Sequence, residues 1–312
     1  MRMNMRVAYG EEVLACAGGD ERIVMLEADV GNSTRSLLLQ EKYPERHFDM
    51  GIAEQNMAGT AAGFALGGHI PFIASFAVFV TGRAFDQIRQ SVCVPGLNVK
   101  ICGVSAGLSS FGDGASHQAI EDVALMRALP NMTVLVASDA VETRKMVRAM
   151  VRHKGPCYLR LTRNDSEVVN TEDGEFEIGR LHHMRDGGDV AIFAMGVMVE
   201  KALRAAETLQ REGISARVVN VSTVKPLDRE GVIAAVRGVK GVVTAEEHTV
   251  FGGLGGAIAE ALARHPVPME MVGIRDCFGR SSHDYEVLMA SFGLTPGAIA
   301  DAARNVCGRG RR

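Results

Sequence analysis

Several features that mark special classes of protein are missing from this sequence. Its six cysteines form no Cys-x-x-Cys pair, and no histidine lies at a spacing suited to zinc. The pattern therefore predicts no metal site built on cysteine. Unpaired cysteines are typical of a reducing compartment, so we expect a cytoplasmic protein.

Long runs of one charge and long apolar runs are missing as well. The 34 basic and 37 acidic residues give a formal charge of −3 and are scattered along the chain, so no basic stripe indicates nucleic acid. The start of the chain lacks the apolar stretch of a signal peptide. Apolar runs such as residues 70–80 are too short to span a bilayer. We therefore expect neither nucleic acid nor a membrane among the partners.

The sequence does contain a regular alternation of short β-branched runs and helical patterns over 312 residues. Such alternation predicts parallel sheets with crossover helices, and the length fits two domains. A polar, glycine-bearing stretch at 164–189 separates two series and is interpreted as a linker plus an entering hairpin. The sequence thus predicts an α/β fold of two consecutive parallel-sheet domains, at 1–165 and 181–312, with a linker at 166–180.

The individual elements follow from the same patterns. The first series predicts strands at 23–28, 71–75, 100–104, 133–137 and 157–161, and helices at 53–66, 82–92, 118–128 and 140–151. The second series predicts strands at 190–195, 216–221, 241–246 and 270–274, and helices at 197–212, 229–237 and 252–264.

A single acid, Glu54, stands near the start of a stretch dominated by alanine and glycine. On a helix, such small side chains allow a second backbone or a rigid ligand to approach closely. Alternatively, the helix packs tightly on its sheet, and Glu54 is an ordinary first-turn acid favoured by the helix dipole. The spacing alone does not decide between these interpretations.

Two phenylalanines follow the next predicted strand. Phe76 and Phe79 are three residues apart and share one face if a helix begins there. They are either core residues or a stacking platform for a flat heteroaromatic ring.

The stretch at 105–118 is half glycine and serine and follows the predicted strand at 100–104. Loops at the carboxyl ends of parallel strands are where α/β proteins bind ligands. Asp113 and His117 are therefore candidates for hydrogen bonding a polyhydroxylated substrate. The Gly-Asp-Gly within the stretch lacks the strand context and downstream asparagines of a diphosphate–Mg²⁺ motif, so we predict no metal site on this chain.

Four motifs together resemble the transketolase family in order and spacing. They are Gly51-Ile52-Ala53-Glu54-Gln55-Asn56-Met57, Ser75-Phe76 with Phe79, Gly112-Asp113-Gly114-Ala115-Ser116-His117-Gln118, and Leu159-Arg160-Leu161-Thr162-Arg163. Residues 1 to about 165 resemble the pyrimidine-binding domain for thiamin diphosphate, and about 180 to 312 resemble the C-terminal domain. The resemblance implies an enzyme subunit that transfers a two-carbon ketol unit between phosphosugars.

The resemblance also implies the cofactor ligands. Glu54 matches the catalytic glutamate that hydrogen-bonds the aminopyrimidine nitrogen of thiamin diphosphate and so favours its imino tautomer. A donating carboxyl carries a proton, which requires shielding from water. Phe79 matches the ring that stacks on the pyrimidine, with Phe76 beside it. Asp29 matches an acid near the cofactor at a subunit contact.

Substrate ligands are implied in the same way. Arg6, Ser33 and Arg163 match ligands of the sugar phosphate, and the planar fork of Arg163 suits such an anion. Asp113 and His117 match residues that bind the sugar hydroxyls. The chain departs from the family at Ser105, where a histidine usually stands, and at Gly82, where an aromatic residue is common.

The resemblance places this chain with the second and third domains of a full transketolase, and so with the split type of enzyme. A separate N-terminal subunit is then expected to supply the diphosphate site with its Mg²⁺, and the chain alone is expected to be inactive. Self-association is expected too, because cofactor sites in this family form between subunits.

Three alternatives remain open. A 2-oxo-acid dehydrogenase E1 β subunit shares the domain plan and the glutamate, but the Gly-Asp-Gly-x-x-His-Gln stretch with Arg163 argues against it. A deoxyxylulose-phosphate synthase fragment would use pyruvate instead. A non-catalytic homologue would keep the fold for partner binding only.

Overall fold

The computed structural model describes residues 1–309, so the last three residues of the predicted second domain lie outside the described part. The strands of the first half are β1 Arg2–Asn4, β2 Ile23–Glu27, β3 His47–Asp49, β4 Ile70–Phe76, β5 Lys100–Val104, β6 Thr133–Val136, β7 Cys157–Arg160 and β8 Asp165–Glu167. Its helices are α1 Met5–Gly19, α2 Gly31–Thr34, α3 Leu37–Lys42, α4 Glu54–Leu66, α5 Ala77–Gly82, α6 Phe85–Gln87, α7 Asp122–Ala128 and α8 Ala140–Arg152.

The second half repeats the alternation. Its strands are β9 His182–Arg185, β10 Val190–Ala194, β11 Ala216–Asn220, β12 Thr223–Lys225, β13 Gly241–Thr249 and β14 Met269–Ile274. Its helices are α9 Met198–Arg211, α10 Arg229–Ala235, α11 Leu254–Ala261, α12 Tyr285–Ser291 and α13 Pro296–Arg309.

The first sheet has seven strands in the order β12-β6-β7-β5-β4-β2-β3. Every neighbouring pair is parallel except β12–β6, which is antiparallel. Its central strands are buried along their whole length, as expected for a sheet with helices on both faces. Because parallel strands end at one edge, β2, β4 and β5 bring Asp29, Phe76 and Ser105 to the same edge.

The second sheet has five strands in the order β14-β13-β10-β11-β9. Strands β14, β13, β10 and β11 are parallel, and only the edge strand β9 is antiparallel. Both halves are therefore α/β units with mostly parallel sheets, which confirms the predicted fold class. Strand β12 lies between β11 and α10 in the chain yet completes the first sheet, so the two halves share one sheet edge.

Three local predictions were wrong or incomplete. No helix was predicted over α1, in which Gly10 and a polar Glu11-Glu12 pair weaken the helical period. The expected hairpin at 164–189 does not form, because β8 pairs with β1 and β9 pairs with β11. The single helix predicted at 82–92 is instead α5, α6 and a π-helical segment at Ile88–Cys93.

A buried polar network joins the two halves. Arg160, at the end of β7, pairs through Nε with Asp122 Oδ2 at 2.9 Å, and both side chains are buried. The Arg160 Nη2 also donates to the backbone oxygen of Glu247 at 2.9 Å. Beside it, His248 Nε2 accepts a hydrogen bond from the Ala124 N–H at 3.4 Å. Strand β13 is therefore anchored to the first half by hydrogen bonds in the protein interior.

Burial shifts the titration of this network. It raises the pKa of both Glu246 and Glu247 from 4.5 to about 7, against the opposing effect of the Arg160 charge. Burial also lowers the pKa of His248 to about 4. A neutral His248 ring donates from Nδ1 to the Thr249 oxygen at 2.7 Å and accepts at Nε2, so its hydrogen bonds fit the uncharged form.

These shifts predict a stability that falls as pH rises from 6.5 to 8. A carboxyl with a raised native pKa holds its proton longer in the native state than in the unfolded chain, so its contribution is complete below pH 4.5 and is lost through about pH 7. His248 acts in the opposite direction, but only below its unfolded value of 6.5. Most of the decline falls between pH 4.5 and 7, so we expect Glu247→Gln to reduce the loss between pH 6.5 and pH 8 by about 1 kcal/mol.

Urea unfolding at pH 6.5 and pH 8 measures this difference. Glu21→Gln, at an exposed position, is the matched control. It should lose as much unfolding free energy between the two pH values as the wild type does. If Glu247→Gln loses as much unfolding free energy between pH 6.5 and pH 8 as the wild type, Glu247 is already ionised in the native protein at pH 6.5.

Candidate active site

Glu54 is the first residue of α4 and lies at the carboxyl edge of the first sheet. One face of α4 buries Met57, Ala58 and Ala61 against the core, and the opposite face leaves Gly59 and Gly63 exposed. The Glu54 side chain is only 4% exposed. Both sequence interpretations of this stretch therefore hold in part, because the small residues pack the helix and the acid is buried.

The nearest charged partner of Glu54 is Arg83. Its Nη1 donates to Glu54 Oε1 at 2.9 Å, and the Arg83 side chain is half exposed. The same guanidinium lies over the Phe79 ring, with Cζ 3.9 Å from the ring centroid. Arg83 therefore contacts both residues that the sequence analysis assigned to one flat ring.

Three aromatic side chains meet beside this pair. The rings of Phe76 and Phe79 are stacked, with centroids 5.7 Å apart and an interplanar angle of 9°. The His117 ring lies edge-on to both, at 6.0 Å from Phe76 and 5.2 Å from Phe79. The predicted common face of Phe76 and Phe79 is present. We call Glu54, Phe76, Phe79, Arg83 and His117 the ring cluster.

Asp29 lies at the same sheet edge, directly after β2, in a left-handed backbone conformation with φ of 56°. Its N–H donates to Asp49 Oδ1 at 3.1 Å, and Gly51 N–H donates to the same oxygen at 2.9 Å. Asp29 is thus tied to the segment that leads into Glu54.

A second cluster is basic. Arg6 Nη1 donates to the backbone oxygen of Ser33 at 3.1 Å, and Arg163 Nη1 pairs with Asp113 Oδ2 at 3.0 Å. Burial, followed by the nearby charges of Arg163 and Arg35, lowers the pKa of Arg6 to about 10. Three arginines therefore converge here. We call Arg6, Ser33, Arg35, Asp113 and Arg163 the basic cluster.

The basic cluster has spare donor capacity. The Nε atoms of Arg6 and Arg35 are buried, and within the described residues neither has a hydrogen-bond partner. Buried donors are nearly always paired in folded proteins. Two unpaired guanidinium N–H groups with like charges nearby therefore fit an anion.

The loop at 105–118 links the two clusters, since it carries both Asp113 and His117. The second half of the chain holds it in place. Leu108 N–H donates to Glu247 Oε1 at 2.7 Å, and Ser282 N–H donates to the Phe111 oxygen at 2.8 Å. Gln118 Nε2 donates to the Arg280 oxygen at 3.0 Å. The segment around 280–282 is a loop, and it packs on the candidate site.

The structure therefore brings together most of the residues singled out from sequence. Glu54, Phe76, Phe79 and His117 share the ring cluster, while Arg6, Ser33, Asp113 and Arg163 share the basic cluster. Sequence reasoning missed Arg83 and Arg35. A signal existed for Arg83, which stands four residues after Phe79 and so on the same helical face. Arg35 is placed by a left-handed turn with φ of 64°, which spacing does not reveal.

Within residues 1–309, no group of three or more histidine, cysteine, aspartate or glutamate side chains is arranged to hold a metal ion. No helix of that same range has the length and apolar character needed to cross a bilayer.

Protein-family models match both halves of the chain. The model described as "Transketolase, pyrimidine binding domain" matches residues 1–167, and "Transketolase, C-terminal domain" matches residues 179–299. Fold and matches together define a two-domain α/β protein of the kind that carries the pyrimidine-binding half of thiamin-diphosphate enzymes. The chain belongs to the transketolase family, which confirms the resemblance seen in its four motifs.

Individual relatives agree with this assignment. A Methanocaldococcus jannaschii protein, provisionally named a transketolase C-terminal section, is 44% identical over 300 residues, which cover 95% of this chain and 94% of that protein. The 6-deoxy-6-sulfo-D-fructose transketolase subunit SqwH of a Clostridium species is 43% identical over 307 residues, covering 98% and 95%. A solved structure, "Split gene transketolase, inactive beta4 tetramer", is 45% identical with a TM-score of 0.90 and covers 99% of both chains.

The loop that joins the clusters supplies a stability test. Gly107 has a φ of 63°, and a Cβ at this position would overlap the Glu247 carboxyl. We expect Gly107→Ala to lower the free energy of unfolding by about 2–4 kcal/mol, because overpacking and the left-handed backbone both penalise a side chain there. Gly112→Ala, in the same loop with open space around the Cβ position, is the control and should change it little. Urea unfolding compares the two, and equal effects would contradict the close contact with Glu247.

Proposed function

We propose that this chain is the pyrimidine-binding subunit of a thiamin-diphosphate-dependent transketolase that transfers a two-carbon ketol unit between phosphosugars. The observation that carries the proposal is the buried Glu54 carboxyl beside the Phe79 ring. The planar Arg83 guanidinium contacts both of them. The catalytic assignment is Glu54, and the cofactor ligands are Glu54, Phe79, Phe76 and Asp29. The substrate ligands are Arg6, Ser33, Asp113, His117 and Arg163.

The ring cluster fits an aminopyrimidine. The planar Arg83 guanidinium shows that the space between Glu54 and Phe79 admits a flat group that hydrogen-bonds the carboxyl and stacks on the ring. An aromatic platform and a buried carboxyl are the two contacts that such a heterocycle needs. When bound, thiamin diphosphate supplies a carbon nucleophile at C2 of its thiazolium ring.

The chain's own residues then have distinct tasks. Glu54 donates a proton in a hydrogen bond to the pyrimidine nitrogen, and its burial keeps water from competing for that bond. Phe79 and Phe76 orient the ring by stacking. His117, edge-on to both rings, closes the cleft on the side of the loop that carries Asp113, where sugar hydroxyls are bound.

The basic cluster supports a phosphorylated substrate. Arg163 pairs with Asp113 of the loop at 105–118 and lies near Arg6, and each arginine has a planar fork of N–H groups that suits a phosphate. The lowered pKa of Arg6 and the unpaired Nε atoms of Arg6 and Arg35 indicate a cluster with more positive groups than Asp113 alone can match. Arg35 joins the predicted phosphate ligands on this ground.

A separate subunit with the diphosphate site and its Mg²⁺ is part of the proposal. The relative SqwH is named as a subunit, and the similar solved structure is described as an inactive β4 tetramer. Ile52, two residues before Glu54, is 74% exposed, and Leu66 at the other end of α4 is 75% exposed. Apolar side chains exposed beside a catalytic helix are suited to a subunit contact, and self-association would use surfaces of the same kind. The six free cysteines support a cytoplasmic location.

The alternatives are less well supported. A non-catalytic homologue would have no need to hold the Glu54 carboxyl, Phe79 and three arginines in two organised clusters. The Arg163–Asp113 pair on the loop favours a phosphosugar enzyme over a 2-oxo-acid dehydrogenase subunit. A pyruvate-using synthase is separated from a transketolase by a donor screen, in which a ketose phosphate and pyruvate are offered in turn.

Glu54→Gln tests the catalytic assignment. The amide has nearly the same shape but cannot reproduce the carboxyl proton, so we expect ketol transfer by the complex with the diphosphate-binding subunit to fall by about 10²–10⁴-fold. Circular dichroism should show an unchanged fold. Glu11→Gln, on the exposed surface of α1, is the control and should retain activity. Wild-type turnover by Glu54→Gln would remove the assignment.

Arg163→Ala tests the phosphate assignment. Loss of a charged hydrogen bond worth about 1.5–3 kcal/mol should raise KM for a phosphorylated ketose donor about 10- to 150-fold. The same variant should leave KM for the unphosphorylated ketose unchanged, and this pair of substrates is the internal control. An equal rise for both donors would indicate that Arg163 supports the loop through Asp113 and does not contact phosphate.

A further inference from the structure

Arg83 occupies the position that the proposed function gives to the coenzyme ring. Its guanidinium makes a hydrogen bond of 2.9 Å to Glu54 Oε1 and lies 3.9 Å from the Phe79 centroid. Those are the hydrogen bond and the stacking contact assigned to the aminopyrimidine. We infer that Arg83 is an internal substitute for the coenzyme ring, and that the ring enters the site by exchange with the Arg83 guanidinium.

The shape of the guanidinium makes the substitution specific. It is planar and delocalised, it stacks on aromatic faces, and it presents N–H groups along its edge. A lysine at the same position could form the ion pair but could not lie flat on Phe79 with the same contact area. Arg83 therefore satisfies both members of the site at once, which a simple counter-ion would not.

The two occupants exclude each other by charge as well as by volume. Arg83 is a hydrogen-bond donor and pairs with an ionised Glu54 carboxylate, which can only accept. The pyrimidine nitrogen is an acceptor and needs the protonated carboxyl as its donor. Glu54 cannot serve both partners at once, so binding of the ring requires departure of the guanidinium.

Departure of Arg83 is feasible because the residue lies at the surface. Its side chain is 49% exposed, whereas Glu54 is 4% exposed. Arg83 follows the last residue of α5, and its backbone oxygen accepts a hydrogen bond from Gln55 Nε2 at 3.1 Å. The backbone is thus held against α4 while the long side chain can rotate into solvent. Arg83 is therefore a competitor of the ring for Glu54 and Phe79 and not a catalytic residue.

Binding of thiamin by the full-length chain tests the exchange, and the inference rests on the proposed function. Thiamin without its diphosphate needs only the ring cluster, and isothermal titration calorimetry measures its dissociation constant. Arg83→Met removes the guanidinium and keeps an unbranched apolar stem. We expect it to bind thiamin about tenfold more tightly than the wild type, since no stacked ion pair must first be broken.

The controls separate exchange from general effects of charge. Arg89→Met removes an exposed positive charge six residues further on and should bind thiamin as the wild type does. Added guanidinium chloride should weaken thiamin binding by Arg83→Met more than an equal concentration of sodium chloride does, because the free ion can enter the vacated position. A merely structural role of Arg83 would produce neither the gain nor the competition.

The outcomes are distinguishable from those of the proposed function. Equal or weaker binding of thiamin by Arg83→Met would overturn the exchange. Loss of thiamin binding by Glu54→Gln would in that case keep Glu54 as the ring ligand. If Glu54→Gln in the Arg83→Met background binds thiamin undiminished, the proposed coenzyme site fails and the exchange with it. Equilibrium dialysis of thiamin diphosphate and Mg²⁺ with the two-subunit complex repeats the comparison of wild type and Arg83→Met. If Arg83→Met gains no affinity with the single chain and none with the complex, the inference is overturned.

Discussion

The Arg160 guanidinium, 5% exposed between the two halves of the chain, pairs with Asp122, which has no exposed surface. It also donates to the backbone oxygens of Ala119 and Glu247. One buried cation therefore joins the end of β7, the exit of the loop at 105–118, the start of α7 and the end of β13. Removing one member would leave an uncompensated charge in the interior, which is far more costly than loss of a surface pair.

The candidate site depends on these contacts of Arg160, although Arg160, Asp122 and Glu247 belong to neither the ring cluster nor the basic cluster. Asp113 and His117 are carried by a loop whose backbone is bonded on one side to Glu247 and on the other to the segment around Ser282. The second half thereby acts on the chemistry through position. Its strand β12 also completes the first sheet beside β6. The two halves look like separate units in the pattern of the sequence, but the second half holds the loop that carries Asp113 and His117 of the first.

Patterns among residues close in sequence predicted the strands and helices that form from such residues. Alternation of apolar runs located the parallel strands, and the rule that ligands bind at their carboxyl ends located the loop with Asp113. Asp29 was assigned from the family resemblance alone. Contacts distant in sequence were not accessible in this way. The pairing of β12 with β6 and of β9 with β11 depends on tertiary packing, and neither strand has a strong pattern of its own. The position of Arg35 depends on one left-handed residue.

Arg83 pairs with the buried Glu54 carboxyl and lies over the Phe79 ring within this one chain. The Glu54 carboxyl is buried, and a buried polar group is costly unless it has a partner. A ring such as Phe79, which is half-buried, is likewise unfavourable when exposed to water. The guanidinium resolves both problems with one side chain, since it neutralises the acid and covers the aromatic face while its own stem stays in solvent. Because that protection comes from a mobile residue and not from the core, it can be withdrawn when the ring arrives. In the proposed function, the buried acid that the coenzyme ring needs is thus accompanied on the same chain by a removable counter-ion.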